Sequence, residues 1–189
     1  KQLLGRVPTI FGALGALVNV PESEVTGAEF DLQWAPVDGL YLALSATFLD
    51  TEVKDFENFN QLGQPQDFDG SDFPLTPEWQ GTAMARYEWT LGNGMTTHVG
   101  GDVSFSDDFI SDYEGPGGVA DPAFELDGAT LYGARAGITS ADERWSASIW
   151  GRNLSDEFQP LNTRKITDGL VRFTGQPRTY GVSVTYNWF

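Results

Sequence analysis

Apolar and polar positions alternate at a period of two along most of this chain, and helical spacing is almost absent. Between Gly27 and Trp34, one face collects Ala28, Phe30, Leu32 and Trp34, while the other takes Gly27, Glu29, Asp31 and Gln33. Leu40–Phe48 groups Leu40, Leu42, Leu44, Ala46 and Phe48. The same division runs through Trp79–Trp89, Met95–Phe105 and Tyr132–Ile138. Trp145–Leu154 alternates less cleanly, because Trp150 falls among its polar positions. The last segment sets Tyr180, Val182, Val184, Tyr186 and Trp188 opposite Gly181, Ser183, Thr185 and Asn187. Alternation of this kind is the mark of strands with two unlike faces, so the pattern predicts an antiparallel all-β protein of seven strands. Lys1–Val20 is a poor eighth, broken by Pro8 and closely spaced glycines.

The predicted connections alternate between short and long. Ala35–Gly39, Leu91–Gly94 and Ser140–Arg144 are short, and Gly92-Asn93-Gly94 is a strong hairpin turn. Thr51–Phe73, Ser106–Asp127 and Ser155–Leu170 are long, and all three lie at the same end of the predicted sheet. Trp34, Trp89, Trp145 and Trp188 stand at strand ends beside a short turn or the C-terminus. Strands of membrane-crossing length, long loops on one side only and aromatic residues at the ends together describe an up-and-down transmembrane β-barrel wall of about seven or eight strands. Tryptophan suits the interface because its body is apolar while its N–H seeks a polar partner. Seven strands, an odd number, predict an incomplete segment of a larger barrel, since bacterial barrels of one chain have even strand numbers. Two alternatives remain at this point: an eight-stranded ring in which Lys1–Ile10 closes on the C-terminal strand, and a soluble β-sandwich that binds carbohydrate through Trp and Tyr.

Composition narrows the chemistry. The 189 residues include no Cys and a single His, and carry a formal charge of −16. Thiolate sites, disulfides and multi-histidine metal centres are excluded within the chain. So acidic a chain offers no net basic surface for nucleic acid. The charge is concentrated: Asp50–Asp72 carries a net −6 and Asp107–Asp127 a net −7. These acidic loops are expected to meet divalent ions around lipopolysaccharide. Asp67, Asp69 and Asp72 form a loose oxygen-donor group, although the sequence around them departs from a calcium-binding loop in having Asp72 where glycine is required. The start of the chain has no initiator Met and no basic-then-apolar leader, which predicts a processed product or a piece of a longer chain.

Candidate ligand-facing residues follow from alternation. Arg86, His98, Asp102, Arg135 and Arg152 all fall on polar faces, which in a barrel line the lumen. The planar donor fork of arginine matches anionic or catecholate oxygens. The alternative is that these side chains pair with other wall residues or with whatever fills the lumen. Tyr113, Phe124 and Phe59 in the long loops are placed either to touch an aromatic or sugar ligand or to pack the loops together. No nucleophile elbow or phosphate loop is present, and His98 has no plausible nucleophile beside it, so the sequence predicts neither an enzyme nor a cofactor.

Several segments, in order, resemble the C-terminal barrel region of a TonB-dependent outer-membrane receptor. Asn19–Phe30 resembles the loop that runs into a Gly-x-Glu strand, and Trp34–Leu42 is similar to the Trp-x-Pro-x-x-Gly periplasmic hairpin. Phe73–Trp79 resembles the Pro-x-x-Pro lead into a descending strand. Leu131–Glu157, with its Asn153-Leu-Ser-Asp156 ending, resembles the penultimate hairpin, and Gln176–Phe189 the final strand. The resemblance implies a Gram-negative outer-membrane protein importing a scarce nutrient, most often a ferric siderophore, through a plugged barrel. Its implied partners are outer-membrane lipid, the plug and barrel strands N-terminal to this segment, the TonB energy-coupling protein and the barrel-assembly machinery. It also implies an assembly signal at the C-terminus, carried here by Tyr186, Trp188 and Phe189. Phe189 lies one residue out of phase with the apolar face, so the resemblance implies either a signal shifted by one position or Trp188 in the usual terminal role.

Overall fold

A computed structural model describes residues 2–9, 12–59, 64–113, 122–166 and 169–188, with side chains from residue 18 onward. Seven long strands form one antiparallel sheet. They are β3 (Glu22–Trp34), β4 (Leu40–Asp55), β7 (Trp79–Thr90), β8 (Thr96–Ser106), β11 (Ala129–Thr139), β12 (Trp145–Arg152) and β15 (Thr179–Tyr186). Their spatial order is β15-β12-β11-β8-β7-β4-β3, so each strand pairs with the next long strand in sequence, and β3 and β15 form the two edges. The remaining strands make four separate two-stranded pairs. β1 (Gln2–Thr9) pairs with β2 (Gly12–Asn19), and β5 (Glu57–Phe59) with β6 (Pro65–Asp67). β9 (Phe109–Ile110) pairs with β10 (Glu125–Leu126), and β13 (Pro160–Ile166) with β14 (Gly169–Thr174).

Both alternative architectures fall. Gln2–Thr9 spends its backbone hydrogen bonds on Gly12–Asn19, from Gln2 opposite Asn19 to Thr9 opposite Gly12, and not on the C-terminal strand. The eight-stranded ring is therefore not formed among the described residues, and Gln2–Thr9 and Gly12–Asn19 are two strands paired with each other instead of one interrupted strand. The sandwich needs two stacked sheets, whereas all seven long strands lie in a single one. The predicted long loop Ser155–Leu170 also gains structure, since much of it belongs to the β13–β14 hairpin.

The register explains why the alternation matters. Leu32 lies opposite Leu44, Leu44 opposite Ala83, Ala83 opposite Val103 and Val103 opposite Tyr132. Farther across, Ala136 meets Ile149 and Ile149 meets Val182. Every ladder joins apolar to apolar on one face. A slip of one residue in any ladder would turn a strand's apolar set onto the wrong side. That apolar face is bare: Phe30 is 53% exposed and Ile149 62%. A contiguous exposed apolar surface across seven strands is far larger than water-soluble monomers carry, and it fits contact with lipid.

The stagger of the strands fits a barrel. The cross-strand row that starts at Trp34, the last residue of β3, passes through Leu42, Ala85, Gly101, Ala134 and Gly151 to Tyr180. Tyr180 lies six residues from Tyr186, the other end of β15, so the row climbs about one residue per ladder. With a rise of ~3.3 Å and a strand spacing of ~4.8 Å, this stagger tilts the strands by about 35°. Closed barrels have tilts of 35–45°. β7 carries Trp79 and Trp89 at its two ends, and at that tilt these rings stand about 27 Å apart along the normal, close to the ~25 Å apolar band of outer-membrane barrels.

The buried core lies beyond the apolar band of the sheet. Val20, Val53, Phe56, Phe68 and Phe73 pack together where β4 runs on past the apolar band. The returning chain pairs with that extension: Val53 N–H donates to Ser71 O, Gly70 N–H to Val53 O and Phe68 N–H to Phe56 O. Phe73 N–H donates to the buried Thr51 Oγ1 at 3.0 Å. The next long loop docks through Leu75 N–H to Ile110 O and through Tyr113, whose ring lies 5.6 Å from Phe56 and 5.3 Å from Phe68. The third joins through Arg172, whose Nε and Nη2 donate to Thr163 Oγ1 and Ala123 O.

Candidate functional site

The polar face of the sheet gathers the five predicted lumen residues. Arg86 on β7, His98 and Asp102 on β8, Arg135 on β11 and Arg152 on β12 all line one open concavity of about 880 Å³. Ser104, Ser148, Ser183, Gln159 and Gln176 complete a polar lining, and Trp150 stands among them. These residues come from five strands and a loop, so only the cross-strand register brings them together.

Two of the five have partners of their own. Arg86 forms an ion pair with Glu88, two residues along the same face of β7. The Arg152 guanidinium lies 5.2 Å from the centroid of the Trp150 ring, at cation–π distance. Both therefore have a neighbour on the wall itself. Arg135 makes no ion pair among the described residues.

Alternation alone did not single out the glycines that seat these side chains. Asp102 lies opposite Gly133, His98 opposite Gly137 and Trp150 opposite Gly181. A Cβ on Gly133 would stand 2.5 Å from the Asp102 carboxylate, and one on Gly137 2.6 Å from His98 Cε1. At Gly181 it would enter the Trp150 ring. Each polar side chain thus lies flat over bare backbone, and the inner surface stays shallow. Trp150 is fixed further by donating its Nε1–H to Ser183 Oγ at 3.2 Å. The signal for Trp150 was present as the break in the alternation of its strand; the glycine seats needed the register.

The loop candidates divide differently. Tyr113 and Phe124 face inward to pack loops, Tyr113 in the aromatic cluster and Phe124 buried beside Leu126. The Tyr113 hydroxyl is buried with no hydrogen-bond partner among the described residues, and burial pushes it up to about 12. Phe59 lies on β5, paired with Pro65. Asp67, Asp69 and Asp72 are exposed, and Asp67 Oδ1 accepts the Asp69 N–H at 3.0 Å. Partial burial together with Asp50 and Glu52 raises Asp72 above the ordinary carboxylate range. Among the described residues no three acidic or histidine side chains converge as a metal site, so the loose divalent group is not assembled. At the C-terminus the Tyr186 and Trp188 rings meet edge to face at 4.8 Å, while Phe189 lies outside the described residues.

The family model described as TonB dependent receptor-like, beta-barrel, matches residues 2–154. The chain belongs to the TonB-dependent receptor family. Among solved structures it is similar to the ferric yersiniabactin uptake receptor FyuA from Yersinia pestis, at 17% identity and a TM-score of 0.72, over 92% of this chain and 25% of that one. It is also similar to BauA, the ferric preacinetobactin receptor from Acinetobacter baumannii, at 19% identity and 0.67, over 97% and 25%. The siderophore receptor PiuA from the same organism matches at 18% identity and 0.65, over 86% and 21%. At such identities these likenesses speak for the fold, and the chain spans about a quarter or less of each receptor. No curated protein matches.

Proposed function

We propose that this chain is a C-terminal segment of the barrel domain of an outer-membrane receptor that imports a ferric siderophore. The observation that carries the reading is the two-sidedness of the sheet: a bare apolar face with aromatic ends outside, and a polar face with three arginines gathered in one concavity within. The family consists of transporters and not enzymes, and its place in Gram-negative bacteria is the outer membrane. In this reading the apolar face meets lipid, the polar face meets the plug and passing solute, and the docked loops form part of the outer mouth. The intact receptor further requires the TonB protein for energy and the barrel-assembly machinery for insertion, the latter engaging Tyr186, Trp188 and Phe189.

Growth and radioactive iron uptake under iron limitation test the proposal. Deleting the gene that encodes the receptor is expected to abolish uptake of one ferric siderophore while sparing others, and restoring it to recover uptake only when the energy-coupling protein is present. Unchanged uptake of every ferric siderophore tried would overturn the assignment.

A further inference from the structure

The returning segment Phe68–Phe73 is fastened to the extension of β4 by hydrogen bonds on both sides of Asp72. Gly70 N–H donates to Val53 O at 2.8 Å, Val53 N–H to Ser71 O at 2.9 Å, and Phe73 N–H to Thr51 Oγ1 at 3.0 Å. Ser71 and Phe73 are buried, as are Thr51 and Val53 across from them, so these side chains take the side of the aromatic core. Alternation turns Asp72 to the other side, together with Asp50 and Glu52. The clamp on its two flanks leaves Asp72 little freedom to carry its carboxylate away from theirs while the segment stays docked.

Cations do little to relieve this crowding. Lys54 is the only basic residue between Asp50 and Asp72, and its ammonium is held by Glu52 and, at 3.8 Å, by Glu24 of β3. Among the described residues neither Asp50 nor Asp72 has an ion-pair partner. The other charges around the segment are acidic as well. Asp55 lies opposite Glu22 at the end of the β3–β4 ladder, and Asp67 and Asp69 stand on the returning chain itself. Glu78 follows, its carbonyl accepting Leu49 N–H, and the next loop brings Asp112 beside the neutral Tyr113. Partial burial, and then the charges of Asp50 and Glu52, raise Asp72 above the ordinary carboxylate range. The docked segment thus takes up a proton more readily than the released one, and protonation favours docking. That gain is complete below the ordinary value of 3.8 and is lost as pH rises through the higher, docked value.

We propose that Asp72 makes this attachment an acid-tightened latch: the segment Phe68–Phe73 releases from β4 more readily in neutral medium and closes more firmly as the medium is acidified. The same segment carries Phe68 and Phe73 into the core, and the Tyr113 ring lies 5.3 Å from Phe68. Release therefore loosens the seam between the first two long loops. The latch is independent of the uptake reading, since it concerns the docking of one segment on one strand.

Hydrogen exchange of the Val53, Gly70 and Phe73 amides tests it, corrected for intrinsic rates and followed in the full-length receptor in lipid vesicles. A chelator keeps divalent ions out of the measurement. Between about pH 8 and about pH 4.5, protection is expected to rise at least about threefold on acidification. Asp72→Asn keeps the shape and removes the charge. It is expected to show the acid level of protection already at neutral pH and to abolish most of the rise. Asp50→Asn removes one of the two neighbouring charges and gives an intermediate profile. Asp38→Asn, in the exposed turn at the far end of the sheet, leaves the profile unchanged. Protection indifferent to pH in the wild-type receptor overturns the latch, as does a rise that Asp72→Asn leaves intact. Lower protection in Asp72→Asn at neutral pH also overturns it, because the carboxylate would then be holding the segment down instead of pushing it away.

Discussion

Val53 and Val99 are the same residue in two strands of the same sheet, and their surroundings are opposite. Val53, on the extension of β4, is 0% exposed, enclosed by Phe56, Phe68 and Phe73. Val99, on β8, is 48% exposed, with the apolar Tyr87 and Ala136 beside it across its two ladders. The difference shows where water ends. In the loop region the chain must exclude water by its own packing, so apolar side chains turn inward and form a core. Along the wall nothing among the described residues covers them, and in an outer-membrane barrel the bilayer is the solvent that removes the cost of exposure. One molecule therefore contains two hydrophobic solutions, separated near Phe48 and Trp79, whose rings meet at 4.8 Å.

Truncation in the loop core gives the largest expected effect. Phe56 touches both Phe68 and Tyr113, so Phe56→Ala removes the group that joins two loops. Phenylalanine-to-alanine changes in packed cores cost about 3–5 kcal/mol. The loss is expected to be local, opening the loops to limited proteolysis while the wall remains resistant. If the wall unfolded together with the loops, the two regions would be one cooperative unit and the contrast would be wrong.

A charge on the wall tests the other half. Val99→Arg is expected to cost about 2–4 kcal/mol, the depth-dependent penalty for arginine near the bilayer midplane, measured by urea unfolding of the receptor in lipid vesicles. Ser104→Arg, on the opposite face of the same strand and lining the concavity, is expected to change stability little. Equal penalties at both positions would mean that the faces have been assigned wrongly.

How much of this was legible in the sequence depends on the range of the interactions involved. The seven long strands follow from alternation, because a strand with one lipid face and one wet face writes its environment into every second residue. Pairing partners beyond the neighbouring strand are not written in that way. Lys1–Val20 gave no clean alternation, yet Gln2–Thr9 pairs with Gly12–Asn19. The gathering of Arg86, His98, Asp102, Arg135 and Arg152 was legible only as a shared face; that they line one concavity depends on five strands in register. The seating of His98 on Gly137 and Trp150 on Gly181 joins residues tens of positions apart, and a lone glycine in a strand does not announce which side chain will lie over it. Asn153 shows the opposite case. The motif ending at Asp156 was visible, but its reason is tertiary: Asn153 takes a positive φ of 49° and its Nδ2 donates to Glu157 O and Gln176 O, tying the end of β12 to the approach of β15.

The smallest expected effect is the most specific to the loop core. The Tyr113 hydroxyl is buried and has no hydrogen-bond partner among the described residues, and burial disfavours its ionised form and raises it to about 12. The unfolded chain ionises near pH 10, its ordinary value. Between those two values the folded loops hold a proton that the unfolded chain has released, and stability falls as pH rises from about 10 towards 12. Tyr113→Phe removes both the orphaned hydroxyl and this titration. It is expected to leave the loops as stable at neutral pH or more so, by no more than about 1 kcal/mol, because the hydroxyl contributes no hydrogen bond there. It is also expected to flatten the decline above pH 10, with protease resistance of the loops as the measure. A destabilised Tyr113→Phe variant would show that the hydroxyl is engaged after all, as a ligand contact would require, and the loop aromatic cluster would have to be read as a binding surface.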